Sequence, residues 1–553
     1  MTKLKKRKLI TTLAVSLGVS LLPHAVLAYE KDKTYHFTII HTNDHHGSAW
    51  ANDKGEMGLA ARMTVINSIK KEIEAKGGSV LILDAGDINT GVPESDLLMA
   101  EPDIKGMNLI GYEAMTIGNH EFDNPKEVLD KQQSWAEFPF LSANIYDKKS
   151  GDRVFKPFEI FDKQGLKIAV VGLTTEDTAK VGNPLIVGDY EFKKPVEEAP
   201  KVLKELESYT PDITIALSHQ GYYENGNFGS NAPGDVTMAR TLESGSFDFI
   251  IGGHSHDAVC MLSENKLNMT YNPTDECQPD FQNGSWIMQT LDLGKYVGRA
   301  DISFLNGNIT LDKYELIPVN LTEKVKNEAG DTSYVVVGET VKPAKEMVEL
   351  LTPYYEKGQE KLAVKVGEVD NRLEGERDKV RFGQTNLGQL LLNSLTERTN
   401  ADVAVLGGGG IRASIDAGNI TYKDILKVQP FGNTVVYIDF TGKELKEYLA
   451  VAASKKTDSG AYAHFSNVSF KINPEGTLSD VTVKGEPLDE TKLYRLATLN
   501  FISSGGDGYP VISDKSGFVD TGFVDAEVLK AYVEKHSPLK ASELEPKFMH
   551  QPL

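Results

Sequence analysis

Short apolar runs rich in β-branched residues recur along the first half of this chain, separated by helical or turn-rich stretches. Between residues 35 and 339 this alternation predicts a layered α/β domain. Five of the runs end directly in polar motifs, and they cover residues 35–40, 79–83, 114–117, 213–217 and 247–251. Because the carboxyl ends of parallel strands meet at one edge of a sheet, the polar side chains that follow are expected to converge on one rim.

A helix is predicted at residues 343–362, with a proline in its first turn and Pro353 as a bend. Its apolar face is formed by Met347, Leu350, Leu351 and Tyr354. Beyond this helix, the pattern indicates helices at 386–398 and 443–454, strands at 402–406 and 435–440, and a glycine run at 407–410. These elements are typical of a second α/β or α+β unit.

The chain has 553 residues, which is more than one hydrophobic core usually serves. We therefore predict a first domain at 29–341, a linker helix at 342–362 and a second domain at 363–553. The alternative is that the helix lies inside one continuous domain.

The first 28 residues combine a basic start, an apolar run from residue 9 to 22 and small residues before position 29. This pattern predicts a signal peptide at 1–28 and a protein exported to the periplasm or cell envelope of a bacterium. A membrane anchor is the alternative, but the run is short and broken by hydroxyl residues and glycine. No later stretch is apolar enough to predict a transmembrane segment.

The formal net charge is −20, and the five charges of residues 1–28 are all positive, so the rest of the chain is more acidic still. This charge argues against a nucleic acid polymer as a partner of the protein. An acidic protein that binds anions has to concentrate positive charge locally, by metal ions or by an arginine cluster.

The chain contains two cysteines, Cys260 and Cys277. In an oxidising compartment such a close pair is expected to form a disulfide bond, which would hold the segment just after His254 and His256. The alternative is two free thiols.

Potential metal ligands follow each of the five apolar runs. Asp44 and His46 are next but one to each other, so in an extended segment both side chains point the same way. The other candidates are Asp87, with Asp84 as its competitor, Asn119, His219, His254 and His256. Imidazole, carboxylate and amide groups together favour Zn, Mn, Co or Fe over calcium. Any one of these motifs is common in proteins, and only their occurrence together predicts a metal site.

In order and type, the series Asp44-x-His46, Gly86-Asp87, Gly118-Asn119-His120-Glu121, His219 and Gly253-His254-x-His256 resembles the calcineurin-like metallophosphoesterases. The longer segments 43–47, 118–123 and 505–509 look like the bacterial 5′-nucleotidase and UDP-sugar hydrolase branch. The resemblance implies a four-layer αββα metallophosphoesterase domain at 29–341. It implies an α+β nucleotide-binding domain at 363–553, joined to the first domain by the helical linker.

The resemblance also implies two divalent metal ions, such as Zn, Mn, Co or Mg. The first ion would be held by Asp44, His46, Asp87 and His256, and the second by Asp87, Asn119, His219 and His254. Asp87 would bridge the two ions. Some relatives have Gln in place of His256, which makes this ligand the one expected to vary.

Two cations about 3.5–4 Å apart can hold a hydroxide for in-line attack on phosphorus. We expect His120 to stabilise the transferring group or to protonate the leaving oxygen, with Asp123 orienting it. For Asp123, a turn or helix-start role before Asn124-Pro125 is the structural alternative.

Substrate-binding residues are expected in the second domain. Arg377, Arg381 and Arg412 match the nucleotide-binding arginines of the family, and guanidinium groups suit phosphate. Phe431 and Phe501 resemble the aromatic pair that sandwiches the base. Asn433, Gly460 and Asp507 match positions around the base and ribose. The alternatives are scattered surface arginines, phenylalanines in the core and an aspartate in a plain turn.

The sequence thus predicts a monomer that hydrolyses nucleoside mono-, di- and triphosphates, with UDP-sugars as further substrates. The domains are expected to close on the substrate about a hinge near 343–362. One alternative is a 2′,3′-cyclic-nucleotide phosphodiesterase with 3′-nucleotidase action. Another, from a different class, is a periplasmic solute-binding protein.

Overall fold

The computed structural model of the chain describes residues 29–552 apart from 53, 182–183, 224–232, 327–331 and 547–549. The predicted signal peptide at 1–28 lies outside the described residues. Among the described residues, no helix combines the length and the apolar character needed to cross a bilayer.

The strands of the first half are β1 (Tyr35–Thr42), β2 (Ser79–Asp84), β3 (Ala114–Thr116), β4 (Phe140–Leu141), β5 (Ile145–Asp147), β6 (Phe158–Lys163), β7 (Leu166–Thr174), β8 (Tyr190–Phe192), β9 (Ile213–His219), β10 (Phe249–Ile251), β11 (Met261–Ser263), β12 (Lys266–Leu267), β13 (Asp280–Gln282), β14 (Ser285–Met288), β15 (Tyr296–Leu305), β16 (Asn308–Pro318), β17 (Thr322–Lys326) and β18 (Thr332–Val336). The strands of the second half are β19 (Lys365–Val369), β20 (Val403–Gly407), β21 (Gly418–Thr421), β22 (Thr434–Thr441), β23 (Ala463–Ser466), β24 (Val468–Ile472), β25 (Leu478–Val483), β26 (Glu486–Pro487), β27 (Leu493–Leu499), β28 (Val519–Val524) and β29 (His550–Pro552).

The helices are α1 (Leu59–Ala75), α2 (Pro93–Asp96), α3 (Glu101–Ile110), α4 (Lys126–Trp135), α5 (Thr178–Val181), α6 (Pro184–Val187), α7 (Pro195–Leu206), α8 (Asp235–Thr241), α9 (Lys345–Leu362), α10 (Arg377–Val380), α11 (Asn386–Thr399), α12 (Tyr422–Val428), α13 (Gly442–Ala453), α14 (Asn500–Ser503) and α15 (Asp525–His536). Local sequence accounts for several of their ends. Thr385 caps α11 by accepting a hydrogen bond from the backbone of Gly388, and Thr441 forms a capping box with Glu444 at α13.

Two six-stranded sheets stack face to face in the first half of the chain. One has the order β16-β15-β1-β2-β3-β4 and the other β13-β14-β10-β9-β7-β6. Side chains along β1 alternate between the two faces of the first sheet, and this explains how the layers pack. Phe37 and Ile39 are buried between the sheets, while Ile40 packs against the helices α1 and α3. Helices α7 and α8 pack on the far side of the second sheet through Val202 and Val236. The result is the predicted four-layer αββα arrangement.

The second half is built on a mixed five-stranded sheet of order β23-β20-β27-β22-β28. Helices α11, α12 and α15 cover one face through residues such as Leu391, Ile425 and Leu529. The other face packs on α13 and on the smaller sheet β26-β25-β24-β29 through Leu449 and Phe470. This is the predicted α+β unit, and we call the two halves the first and second units.

The predicted linker helix is α9, and it runs without interruption through Pro353. Met347 and Leu351 are buried in the core that α1 and α3 share with the first sheet. The hydroxyl of Tyr354 donates a hydrogen bond to Glu101 at 3.1 Å. This helix is therefore packed on the first unit, while the exact domain boundaries stay predictions.

Cys260 and Cys277 form the predicted disulfide bond. Both side chains are buried at the edge of the core between the two sheets. The bond closes the loop that begins four residues after His256 and so ties the chain beyond that histidine to the second sheet.

Candidate active site

The predicted metal ligands lie at the carboxyl ends of strands. Asp44 follows β1, Asp87 follows β2, Asn119 follows β3, His219 ends β9, and His254 and His256 follow β10. Strands β1, β2 and β3 are parallel, as are β9 and β10, so each sheet brings its ligand-bearing loops to one edge. The two sheets present these edges to each other, and the side chains meet there.

Asp44, His46 and His256 form one group of potential ligands, with one donor atom of each lying within 4.8 Å of the others. The Nε2 atoms of His46 and His256 are 3.2 Å apart, and Nε2 of His256 is 3.2 Å from Oδ1 of Asp44. The Nδ1–H of His46 donates to the carbonyl oxygen of Thr90 at 2.9 Å, which leaves the Nε2 lone pair facing the group.

Asp87, His219 and His254 form a second group with the same spacing. Nε2 of His219 lies 3.0 Å from Oδ2 of Asp87, while its Nδ1–H donates to the carbonyl of Ala85 at 2.6 Å. Among the described residues, the buried Oδ1 of Asn119 has no hydrogen-bond partner. A buried polar atom without a partner is costly, and a cation would satisfy it.

Asp87 also belongs to a third group, with His46 and His120, so its carboxylate lies between the other two groups. This is the position expected of a bridging ligand. Its competitor Asp84 belongs to none of the three groups and accepts hydrogen bonds from Thr42 at 2.5 Å and from the backbone of Gly86 at 3.0 Å. Asp84 therefore supports the turn that carries Asp87.

Five of these side chains stand on left-handed backbone, with φ of 50° at Asp44, 48° at His46, 58° at Asp87, 81° at His254 and 58° at His256. Residues other than glycine adopt this region at a cost on the order of 1 kcal/mol each. Such strain is concentrated at functional sites, where the surrounding structure fixes the conformation.

The ionisation of His46, His254 and Asp87 is suited to cation binding. His219 differs, because burial lowers its pKa but the carboxylate of Asp87 outweighs burial and raises this pKa to about 10. Burial, together with neighbouring His120 and His256, lowers the pKa of His46 to about 4, and burial with His219 lowers the pKa of His254 to about 3. Although burial opposes ionisation of Asp87, His219 and His120 hold the pKa of this carboxyl well below its usual range. Neutral imidazoles and ionised carboxylates are the forms that ligate metals.

His120 and Asp123 form a hydrogen-bonded dyad beside Asp87, with Nδ1 of His120 2.6 Å from Oδ2 of Asp123. Burial lowers the pKa of His120, but the carboxylates of Asp123 and Asp87 outweigh it and raise this pKa to about 9. The imidazole is thus able to hold a proton for transfer.

One pocket joins the two units, and every predicted substrate-binding residue lines it. From the second unit these are Arg377, Arg381, Arg412, Phe431, Asn433, Gly460, Phe501 and Asp507, and from the first unit Asp87, Asn119, His120, Asp123, His254 and His256. Asp44, His46 and His219 are buried behind this wall. The pocket therefore places the arginines and aromatic rings opposite the ligand groups.

The three arginines form a concentrated positive charge. Burial and the neighbouring guanidinium groups of Arg377 and Arg412 lower the pKa of Arg381 to about 9. Mutual repulsion of this kind marks a site that an anion would stabilise.

Two backbone segments approach each other closely at the same side of the pocket. The backbone N–H of Gly409 donates to the carbonyl of Gly460 at 2.8 Å, and a Cβ on Gly409 would lie only 2.9 Å from the Gly460 Cα. This close approach of the two segments thus requires glycine at position 409.

Two residues at the site, Glu121 and Asp292, have roles that were not predicted from the sequence. Glu121 accepts hydrogen bonds from the backbone of Gly118, Asp87 and Ile88 at 2.7, 3.0 and 2.9 Å, which ties two ligand loops together. Asp292 lies 3.5 Å from Nδ1 of His256. Glu121 lies inside the motif at 118–123, so the sequence carries a signal for it, whereas no sequence signal marks Asp292.

Residues 37–258 match the family described as calcineurin-like phosphoesterase, and residues 365–514 match the 5′-nucleotidase C-terminal domain. The chain is 57% identical over 536 residues to Protein UshA of Escherichia coli strain K12, with 97% of each chain covered. It is 54% identical over 519 residues to a 5′-nucleotidase of Vibrio cholerae, with 94% of each chain covered. A solved 5′-nucleotidase precursor from Thermus thermophilus is similar in structure, with a TM-score of 0.73 and 27% identity over 94% of this chain and 99% of that one.

These similarities confirm the predicted family, fold class and enzyme class, and they favour an enzyme over the solute-binding alternative. They also imply that the chain binds divalent metal, in keeping with the ligand groups at the strand ends. The chain therefore belongs to the 5′-nucleotidase family, with a calcineurin-like phosphoesterase domain followed by a 5′-nucleotidase C-terminal domain.

Proposed function

We propose that this protein is an exported, monomeric 5′-nucleotidase that removes phosphate from nucleoside mono-, di- and triphosphates and also cleaves UDP-sugars. The observation that carries this proposal is the pocket between the units, which has potential metal ligands on one side and arginines and aromatic rings on the other. This arrangement suits a substrate that carries both a phosphate and an aromatic base.

Two divalent ions, Zn, Mn, Co or Mg, are the proposed cofactors. Asp44, His46, Asp87 and His256 would hold one, and Asp87, Asn119, His219 and His254 the other. When bound, such a pair of cations supplies an activated water nucleophile and polarises the phosphoryl oxygens. The Oδ1 of Asn119, which has no hydrogen-bond partner among the described residues, supports the fit.

His120 and Asp123 would handle the proton of the leaving group. Asp123 accepts the Nδ1–H of His120, which directs Nε2 of the ring into the pocket as the proton donor to the leaving oxygen. The raised pKa of His120 supports this role, because the carboxylate of Asp123 favours the protonated imidazole.

The second unit would bind the substrate. Arg377, Arg381 and Arg412 would bind the phosphates by charge-assisted hydrogen bonds. Phe431 and Phe501 would stack on the base, which tolerates different bases because each has a π face. Asn433, Gly460 and Asp507 would contact the base and ribose.

Catalysis would involve closure of the units about a hinge near 343–362. A cleavable cross-linker between Glu94→Cys and Lys423→Cys tests this, because these two residues meet across the units and the native cysteines are already paired. The linked protein is expected to lose turnover, with the single-cysteine variants treated alike as controls. Full turnover in the linked form would contradict the proposed closure.

A phosphate-release assay tests the proposed function as a whole. AMP, ADP, ATP and UDP-glucose are expected to be hydrolysed, chelation to stop the reaction, and added Zn, Mn, Co or Mg to restore it. Faster hydrolysis of 2′,3′-cyclic AMP than of AMP would instead identify the cyclic phosphodiesterase alternative. Periplasmic fractionation and light scattering of the purified protein test export and the monomeric state.

A further inference from the structure

The rings of Phe431 and His120 are stacked across the two units. Their centroids are 6.0 Å apart and their planes differ by 12°, the offset arrangement that aromatic pairs prefer. Phe431 lies in the second unit between α12 and β22, and His120 lies in the first unit just after β3. The proposed base-stacking residue therefore touches the proposed proton donor.

Within its own unit, the ring of His120 is held by a hydrogen bond at one atom. Its Nδ1 is bonded to Asp123 at 2.6 Å, and the neighbouring ring of His46 meets it edge-on at 5.0 Å. A single hydrogen bond fixes one point of an imidazole but leaves the tilt of its plane free. The parallel ring of Phe431 restricts that tilt.

Phe431 also contacts the phosphate-reading side of the pocket. The guanidinium of Arg412 lies 5.5 Å from the centroid of its ring, within the range of a cation–π contact. A chain of contacts thus runs from Arg412 through Phe431 and His120 to Asp123. When the units close, the second unit would fix the orientation of the His120 imidazole and would bring Arg412 into the site at the same time.

We propose that Phe431 is a positioning residue for His120, in addition to stacking on the base. This proposal rests on the proposed function. It means that Phe431 contributes to the reaction at phosphorus even when the substrate has no base. Displacement of a reacting group by about 1 Å can cost about a hundredfold in rate, so the loss of one contact surface is large enough to measure.

The experiment compares AMP with ribose 5-phosphate, which lacks a base, in the metal-loaded enzyme. Phe431→Leu is expected to lower kcat about tenfold for both substrates, while KM rises mainly for AMP. Phe431→Tyr keeps the ring and is expected to restore kcat. Phe501→Leu removes the second aromatic wall, which is not the ring stacked on His120, so its effect should fall mainly on KM for AMP.

The proposal would be overturned if Phe431→Leu had an unchanged kcat on ribose 5-phosphate and a higher KM for AMP. That result would show that Phe431 stacks on the base but does not position His120. If ribose 5-phosphate turns over too slowly, kcat at saturating AMP is compared between Phe431→Leu and Phe501→Leu, since both variants lose a base-stacking ring but only Phe431→Leu loses the ring stacked on His120; equal kcat values would overturn the proposal. Metal content and melting temperature equal to wild type establish that the variant is folded. Failure of the wild-type enzyme to hydrolyse AMP would instead reject the proposed function itself.

Discussion

The ammonium group of Lys423 lies 2.7 Å from the carboxylate of Glu94, and this ion pair joins the second unit to the first. Glu94 is buried in α2, and it also accepts a hydrogen bond from Gln359 of α9 at 2.8 Å. One carboxylate therefore holds together α2, the linker helix and α12. Because a buried charge needs a partner, this contact favours the arrangement in which the units meet.

Lys423→Met is expected to shift the units toward a more open arrangement. A pair worth on the order of 1 kcal/mol would change the equilibrium several-fold, and KM for AMP should rise correspondingly. Small-angle scattering measures the opening directly. Lys446→Met, which breaks a surface pair with Glu490 inside the second unit, is the matched control. Identical scattering and KM in Lys423→Met and wild type would contradict this prediction.

Asp87→Ala is expected to reduce both metal content and activity. Its carboxylate lies between the two ligand groups, so its loss should affect both proposed ions. We expect hydrolysis of AMP to fall at least about a thousandfold, because several kcal/mol of transition-state stabilisation depend on the cations. Elemental analysis after dialysis measures the metal. Asp130→Ala, an exposed carboxylate paired with Lys126, should retain wild-type values, and a metal-replete, active Asp87→Ala enzyme would refute the ligand assignment.

Arg381→Lys keeps the charge but removes the planar guanidinium fork. Phosphate binding by paired hydrogen bonds should weaken, and KM for AMP is expected to rise about tenfold with a smaller change in kcat. Arg372→Lys changes a more exposed arginine that pairs with Glu374, Glu376 and Asp416 outside the pocket. Steady-state kinetics should separate the two variants, and equal KM values would argue against phosphate binding by Arg381.

His464 gives a pH-dependent contribution to stability. Burial lowers the pKa of His464 from 6.5 to about 4, although its bond to the Val380 carbonyl opposes that shift. The unfolded chain takes up the proton first, so stability present above pH 6.5 is lost as pH falls toward 4, by about 3 kcal/mol. In urea titrations, the difference in unfolding free energy between wild type and His464→Gln should shrink over this range. A constant difference would show that His464 is not buried in its neutral form.

The strand-end ligands could be predicted because each depends on local features, an apolar run followed by Asp, Asn or His. The positions of helices and strands could be predicted from the same kind of local signal. The helix predicted at 386–398, for example, is found at Asn386–Thr399. The contact between Phe431 and His120 could not be predicted, because it depends on how two separate units meet. Similarly, the position of Asp292 beside His256 depends on a loop that carries no motif.

The left-handed backbone at Asp44, His46, Asp87, His254 and His256 has a consequence for thermal tolerance. Because each of these conformations is unfavourable for its residue, glycine or asparagine at such a position would relieve strain while removing or altering a donor. A search for more heat-resistant variants by stability alone would therefore select against the ligands. Gains in heat resistance that keep the enzyme working should come instead from the outer helices and their caps, far from the strand ends.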